Sequence, residues 1–453
     1  MKKTVLLFAA LCITVCIFAY DFTVDGVYYD IISSTYPYAV EVTVETNNAN
    51  SYSGSVTIPS AVIYGSTTYS VTSIGTYAFA LSTGLTSVTL STSVTSIGDG
   101  AFWGCGLLTT MTIPSSVDSI GSYVFYGCSA LTDIFVDATN TIYASEDGVL
   151  YNKDKSTLLV YPAGKPAVSY TISSSVDTIG SYAFGYCKNL TSITIPTSVV
   201  YITHAAFCEC TGLTTMTIPW SVTFLNNNPF YDCTNLTAIT VDPANQYNES
   251  VDGVLFKKGL TTIICYPASK PGSSYVIPST VTYIRSGTFR GCLGLSSITI
   301  PSSVTTIRSE AFSGCTGLIA IYSYPTTPVD LSSAIETSND VFSGVDTTTC
   351  VLHVPVGSKS LYAAAIQWKA FTNIAEDLTS VVSAATVPTA KVSVQNGQLH
   401  VNGAPVGETI TVYTLQGTAL YSQKADAATM SVSLPVHGMY VVKIGAERVK
   451  LVY

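Results

Sequence analysis

The chain has 453 residues, 47% of them hydrophobic and only 10% charged, with a formal net charge of −9. Scarce cations in an acidic chain argue against a nucleic-acid binder, whose affinity rests on clustered Lys and Arg. The polar surface must come mostly from Ser and Thr hydroxyls and backbone, which suits β-structure, and the 30 tyrosines offer the ring-plus-hydroxyl chemistry enriched at interfaces.

From the N-terminus, Lys2 and Lys3, an apolar run from Thr4 to Phe18 and the small Ala19 have the layout of a secretory signal peptide over 1–19, cut after Ala19. A lipoprotein signal is the rival, opposed by Val15 directly before Cys16. Cys12 and Cys16 are expected to leave with the signal. No later stretch approaches the ~20 apolar residues of a spanning helix, so no membrane span is expected after signal removal. Residues 20–70 read as an N-terminal cap.

Between Val71 and Leu318 the pattern V-x-x-I-x-x-x-x-F-x-x-C-x-x-L-x-x-I-x-I-P recurs eight times. Its phenylalanine falls at 79, 102, 125, 184, 207, 230, 289 and 312, so every step is 23 or 59 residues. The two longer steps hold 36-residue insertions, at about 137–172 and 242–277, that lie 105 residues apart. One contains Asp147-Gly148-Val149-Leu150 and Tyr161-Pro162, the other Asp252-Gly253-Val254-Leu255 and Tyr266-Pro267, and Asp25-Gly26-Val27 echoes them near the N-terminus. Each insertion reads as a hairpin. A period of 23 with L-x-x-I-x-I is the spacing of a coil with one strand, whose Leu and alternating apolar residues share an interior. Gly98, Gly121 and Gly180 mark turns, and A-F-x-x-C reads as a short helical turn plugging the coil. The fold class is therefore a leucine-rich-repeat solenoid, one β-strand plus one short helical turn per 23-residue coil over 71–323, with coils that fold only by stacking.

The sentence I-P-x-S-V-x-x-I-G-x-x-A-F-x-G-C-x-x-L-T, nearly complete from Ile113 to Thr132, resembles the BspA-like leucine-rich repeats of bacterial surface proteins, over roughly 22–376. Val354, Pro355, Gly357, Ser358, Tyr362, Trp368, Phe371, Asn373 and Ile374 resemble the closing segment of such arrays, here 324–378. The resemblance implies adhesion to host or neighbouring-cell macromolecules, without naming a ligand.

A small-residue linker at 379–389 precedes 390–453, where short strands alternate with turns at Asn396-Gly397 and Gln416-Gly417, the pattern of a small all-β sandwich. Its end, with Gly438, Tyr440, Val442 and Lys450, resembles the C-terminal sorting domain of the type IX secretion system. That implies secretion machinery as a partner and a protein released or attached at the outer cell surface. A plain immunoglobulin-like cap is the alternative.

Seven cysteines share one slot of the repeat, at 105, 128, 187, 210, 233, 292 and 315, while Cys208, Cys265 and Cys350 stand apart. Stacked coils hold equivalent Cβ atoms ~4.8 Å apart on parallel vectors, whereas a disulfide wants ~3.8 Å and convergence, so a ladder of free thiols is expected. Cys208-x-Cys210 lacks partners for a zinc site. Asp147 and Asp252 admit a calcium reading, but Asp-Gly is the signature of a hairpin turn. His204, His353, His400 and His437 are scattered, and neither a phosphate loop nor G-x-S-x-G occurs. No enzyme, cofactor or metal is expected.

The candidate partner-binding residues are Trp103, Tyr126 and Arg290, which vary at one slot beside the plug, together with Phe135 and the outward threonines Thr191, Thr194, Thr214 and Thr217. The function read from these is adhesion or interaction outside the cell, with an extracellular protein or glycan as partner. The alternatives are a structural spacer without a ligand and a carbohydrate-binding protein.

Overall fold

The computed structural model describes residues 20–45, 51–332 and 340–378, and the strands between 391 and 452. The expected signal at 1–19 and linker at 379–389 lie outside the described residues. The chain divides into two compact units between Thr379 and Ser380.

The first unit is a β-solenoid of about 13 coils. Each regular coil carries two parallel strands rather than the one expected. The longer is the L-x-x-I-x-I segment: Thr110–Ile113 pairs in register with Asp133–Val136, and Thr215–Ile218 with Ala238–Val241. Alternation does the sorting, since Met111 and Ile113 are buried while Thr110 and Thr112 are exposed. The second strand is only two residues long and comes from V-x-x-I, so that Ser119–Ile120 pairs with Ser96–Ile97 and Tyr201–Ile202 pairs with Thr178–Ile179.

The helical turn expected at A-F-x-x-C is not formed. Tyr77 and Leu81, two residues either side of Phe79, both have φ of 57°, a left-handed conformation no helix tolerates. The backbone makes successive tight turns instead, and its N–H groups alternate in direction. Those of Tyr77, Phe79 and Leu81 donate to the carbonyls of Asp99, Ala101 and Trp103 in the next coil, while those of Ala78, Ala80 and Ser82 donate back to Gly75, Tyr77 and Phe79. A helix would turn these N–H groups inward to its own carbonyls and leave each coil unpaired along this edge. Stacking therefore selects a ribbon of turns.

The phenylalanines of this ribbon form a ladder along the core. Phe79, Phe102 and Phe125 stack at 5.1 and 5.5 Å between ring centroids, and Phe184, Phe207 and Phe230 at 5.3 and 5.4 Å. The ten cysteines among the described residues are free and buried. The seven ladder thiols donate to the carbonyl at the phenylalanine slot of the preceding coil over 2.9 to 3.8 Å. Burial raises the pKa of Cys128, Cys210 and Cys233 well above the ordinary thiol value, so they are small apolar fillers with one weak donor. At the far end Trp368 and Phe371 both close on Phe342 at 5.0 Å, and the Trp368 indole donates to the Val329 carbonyl at 2.9 Å.

The second unit contains two antiparallel sheets, one of three strands and one of four. Leu399, Val401, Ile410, Val412 and Val442 are buried. Tyr440 and Val442 lie on Met439–Ile444 and Lys450 on Glu447–Val452, which pair antiparallel. Gly438 lies outside the described residues.

Candidate binding site at an interruption of the coil stack

Each 36-residue insertion is a hairpin followed by a coil of its own, more than the hairpin expected. In the first, Tyr143–Glu146 and Val149–Asn152 pair antiparallel across Asp147-Gly148. Both turn residues are left-handed, at φ 49° and 72°, the type I′ geometry that Asp-Gly favours. Thr157–Val160 then pairs back on this hairpin and, parallel, with Thr178–Ile179 of the following coil. Tyr161 takes the phenylalanine slot and stacks on Phe184 at 5.3 Å. The second insertion repeats this with Asp252-Gly253 and with Tyr266 on Phe289 at 5.2 Å.

The hairpin cuts the stack. Its base is held by a buried Asn140, which donates to the Pro114 and Val117 carbonyls and accepts from the N–H groups of Ile142 and Tyr143. Asn245 does the same at the second insertion. On the strand side the cut is bridged, because the N–H of Gly164 donates to the Leu131 carbonyl and that of Ile134 to the Gly148 carbonyl. On the ribbon side lies a cavity of about 240 Å³, bordered by Ile120, Gly121, Tyr123, Tyr126, Gly180 and Tyr182 among others.

The second interruption is filled at the corresponding place, 105 residues on. Arg285, where the first has Gly180, donates to the carbonyls of Leu225 and Asn226 at 2.8 and 2.9 Å. Asn228, where the first has Tyr123, donates to the Gly287 carbonyl at 2.8 Å. Arg290, where the first has Gly185, forms ion pairs with Asp232 at 2.9 Å and Glu310 at 2.6 Å. At the first interruption those two acids are replaced by Gly127 and Ala205.

Around the cavity a belt of half-buried rings follows the ribbon edge. Trp103 meets Tyr77 at 6.2 Å, Tyr77 meets Tyr123 at 6.1 Å, and Tyr123 meets Tyr182 at 5.5 Å. Tyr182 in turn meets Tyr126 at 5.7 Å and His204 at 5.4 Å. His204 meets Tyr231 at 5.8 Å, and the Arg290 guanidinium lies 5.6 Å from the Tyr231 ring. The Tyr126 hydroxyl donates to the Glu209 carboxylate at 2.6 Å, and Lys188 sits 3.5 Å over the Tyr186 ring. Burial pushes the Tyr182 hydroxyl up to about 12 and lowers the His204 pKa, against an opposing pull from Glu310.

Trp103, Tyr126 and Arg290 thus share one belt, although Arg290 is occupied by two acids. Phe135, 50% exposed, lies apart on the strand face beside Thr112. Thr194 and Thr217 are exposed on strands of that type and Thr191 and Thr214 are exposed just before them, where the Thr191 hydroxyl donates to the Val168 carbonyl at 3.0 Å. The belt members Tyr77, Tyr123, Tyr182, Tyr186 and Tyr231 are additions that sequence reasoning missed. They sit two residues either side of the plug phenylalanine or directly after it, slots visible once the register is drawn. Among the described residues, no group of three or more His, Cys, Asp or Glu could hold a metal ion, and no helix is long and apolar enough to cross a membrane.

Several solved structures are similar. A leucine-rich cell surface protein from Faecalibacterium prausnitzii A2-165 is 25% identical, with 79% of this chain and 95% of that one covered and a TM-score of 0.41. A leucine-rich repeat protein from Eubacterium ventriosum ATCC 27560 is 24% identical, with 72% and 95% covered and a TM-score of 0.41. One from Bacteroides ovatus ATCC 8483 is 23% identical, with 78% and 88% covered and a TM-score of 0.36. No curated protein matches the chain. The family model described as the BspA type leucine rich repeat region matches in 6 copies over residues 49–165, 163–268 and 264–345, and with the 23-residue coils and their interruptions in view, the chain belongs to the BspA-type leucine-rich repeat family.

Proposed function

We propose that this protein is a secreted or surface-attached adhesion and interaction protein, whose solenoid engages an extracellular protein or glycan. The observation that carries the reading is the aromatic belt. Eight rings from Trp103 to Tyr231, Tyr186 included, are half-buried along one edge, and coils tied together by hydrogen bonds hold them in place. Amphipathic rings on a rigid frame lose little freedom on binding, which is how aromatic residues come to dominate interfaces. Trp103 and Tyr126 are the contact residues of this reading, and Arg290 anchors the far end. Phe135 with Thr191, Thr194, Thr214 and Thr217 forms a second face.

In the same reading residues 1–19 are an export signal, and the two sheets of the C-terminal unit pack as a sandwich that serves as a type IX sorting domain. Support for this is the sequence of Tyr440, Val442 and Lys450 on the two last paired strands. The protein without residues 380–453 would then be trapped before the cell surface, and undisturbed display of that truncated form would remove the sorting role.

The test of the main reading is binding of the full exported chain to a panel of matrix proteins, surface glycans and whole bacterial cells. Saturable binding, weakened about tenfold or more by Trp103→Ala, is the expected result. Absence of saturable binding across the panel would leave a structural spacer.

A further inference from the structure

The cavity at the first interruption is not a general consequence of the insertion, because 105 residues later side chains bond across the corresponding gap. There the Arg285 guanidinium bonds to the Leu225 and Asn226 carbonyls. At the first interruption Gly180 brings no side chain, and Ile120 and Gly121, the counterparts of Leu225 and Asn226, border open space. We propose that this cavity binds a single neutral, hydroxylated ring, the chemistry of one glycosyl residue of an extracellular glycan; the proposal rests on the reading of the solenoid as an extracellular binder and specifies one class of ligand for it.

Size is the first argument. At about 240 Å³ the cavity falls just below the ~300 to 1,000 Å³ of sites for drug-sized ligands, which leaves room for one ring. Its walls are the second. The lining residues are Tyr, Ser, Gly and aliphatic or Phe side chains, with no charged side chain among them, so neither an anion nor a cation would find a counter-charge on the wall. Rings with phenolic hydroxyls suit a ligand that has both C–H faces and hydroxyl groups.

One further observation sets the wall apart. Tyr123 stands where the second interruption has Asn228, whose amide ties the gap through the Gly287 carbonyl at 2.8 Å; at the first, a ring lines the cavity in its place.

The experiment is saturation-transfer NMR of the full exported chain with the methyl glycosides of glucose, galactose, mannose and N-acetylglucosamine, with phenol as the aromatic control. Transfer to at least one glycoside is expected. Gly180→Arg, which imports the side chain found at the second interruption, should abolish it. Tyr123→Asn, which imports the residue found at the second interruption and suits a left-handed backbone, removes one ring from the wall and should weaken binding about tenfold. Transfer to no glycoside, transfer to phenol alone, or transfer unchanged by both variants would overturn the proposal. The two readings fail separately. Partner binding that persists without any glycoside signal removes only the cavity ligand, whereas a glycoside signal without any partner on the panel removes the adhesion reading.

Discussion

The two interruptions of the coil stack share a topology down to single hydrogen bonds, yet one holds a cavity and the other a cluster of charges. Asn140 and Asn245 make the same four bonds, and both hairpins turn on a left-handed Asp-Gly pair. The difference lies in what replaces the ribbon ladder where the hairpin cuts it. At the second interruption two arginines do so, since a guanidinium carries five donors on a rigid plane and stays charged. Asp232 and Glu310 are the acids that Arg290 needs. At the first, glycines stand where those arginines would be, and tyrosines line the gap. Backbone pattern thus decides where the stack opens, and a handful of side chains decides whether the opening is closed or usable.

The largest expected effect tests whether the shared frame is equivalent on both sides. Phe184 and Phe289 are fully buried between aromatic neighbours, so Phe184→Ala and Phe289→Ala should each cost ~3 to 5 kcal/mol in chemical denaturation. A loss below about 1 kcal/mol would contradict the buried ladder. Asn140→Ala and Asn245→Ala should each cost about 3 kcal/mol, because several buried backbone groups lose their partners; one tolerated and the other not would show that the hairpins are anchored differently.

Gly148→Ala and Gly253→Ala both place a side chain at φ above 70°, worth ~1 to 2 kcal/mol. Gly148 should be the worse, since a Cβ there runs into the Asp133 carboxylate and within 3.0 Å of its Cα, whereas at Gly253 the nearest atom is the Ala238 Cβ at 3.0 Å. Equal melting temperatures would sink that distinction. The smallest effect is one of pH. Burial lowers the His204 pKa from 6.5, so the unfolded chain takes up that proton more readily and stability falls as pH drops from about 6.5 through the lowered folded value. Ser309 stands at the matching position of the second interruption and does not titrate. His204→Gln should therefore flatten the stability profile between pH 6.5 and the folded pKa, and an unchanged profile would assign the slope to other groups.

Much of this frame is legible in the residues themselves. The 23-residue period places the inward Leu and Ile, and equal spacing of the cysteines foretells parallel thiols that cannot bridge. The ribbon was not legible as such, because A-F-x-x-C has the three-residue spacing of a helical turn. A signal existed in Gly104, Gly127, Gly291 and Gly314, which share the slot two residues after the phenylalanine and are all left-handed. The buried asparagines carried a similar signal, as Asn140 and Asn245 recur at the 105-residue offset. Trp103, Tyr126 and Arg290 were legible as a variable slot, but that Arg290 is held by Asp232 and Glu310 depends on residues 58 away in the chain on one side and in the following coil on the other.

By itself the sequence determined the repeat, its register, the places where hairpins enter and which side chains face the core, because these follow from local periodicity and turn chemistry. Only the tertiary structure decided the direction of the ribbon amides, the second strand of each coil, and which interruption stays open. Those outcomes depend on whether a neighbouring coil offers a carbonyl, an acid or empty space across the gap, and that is settled by stacking rather than by any one stretch of chain.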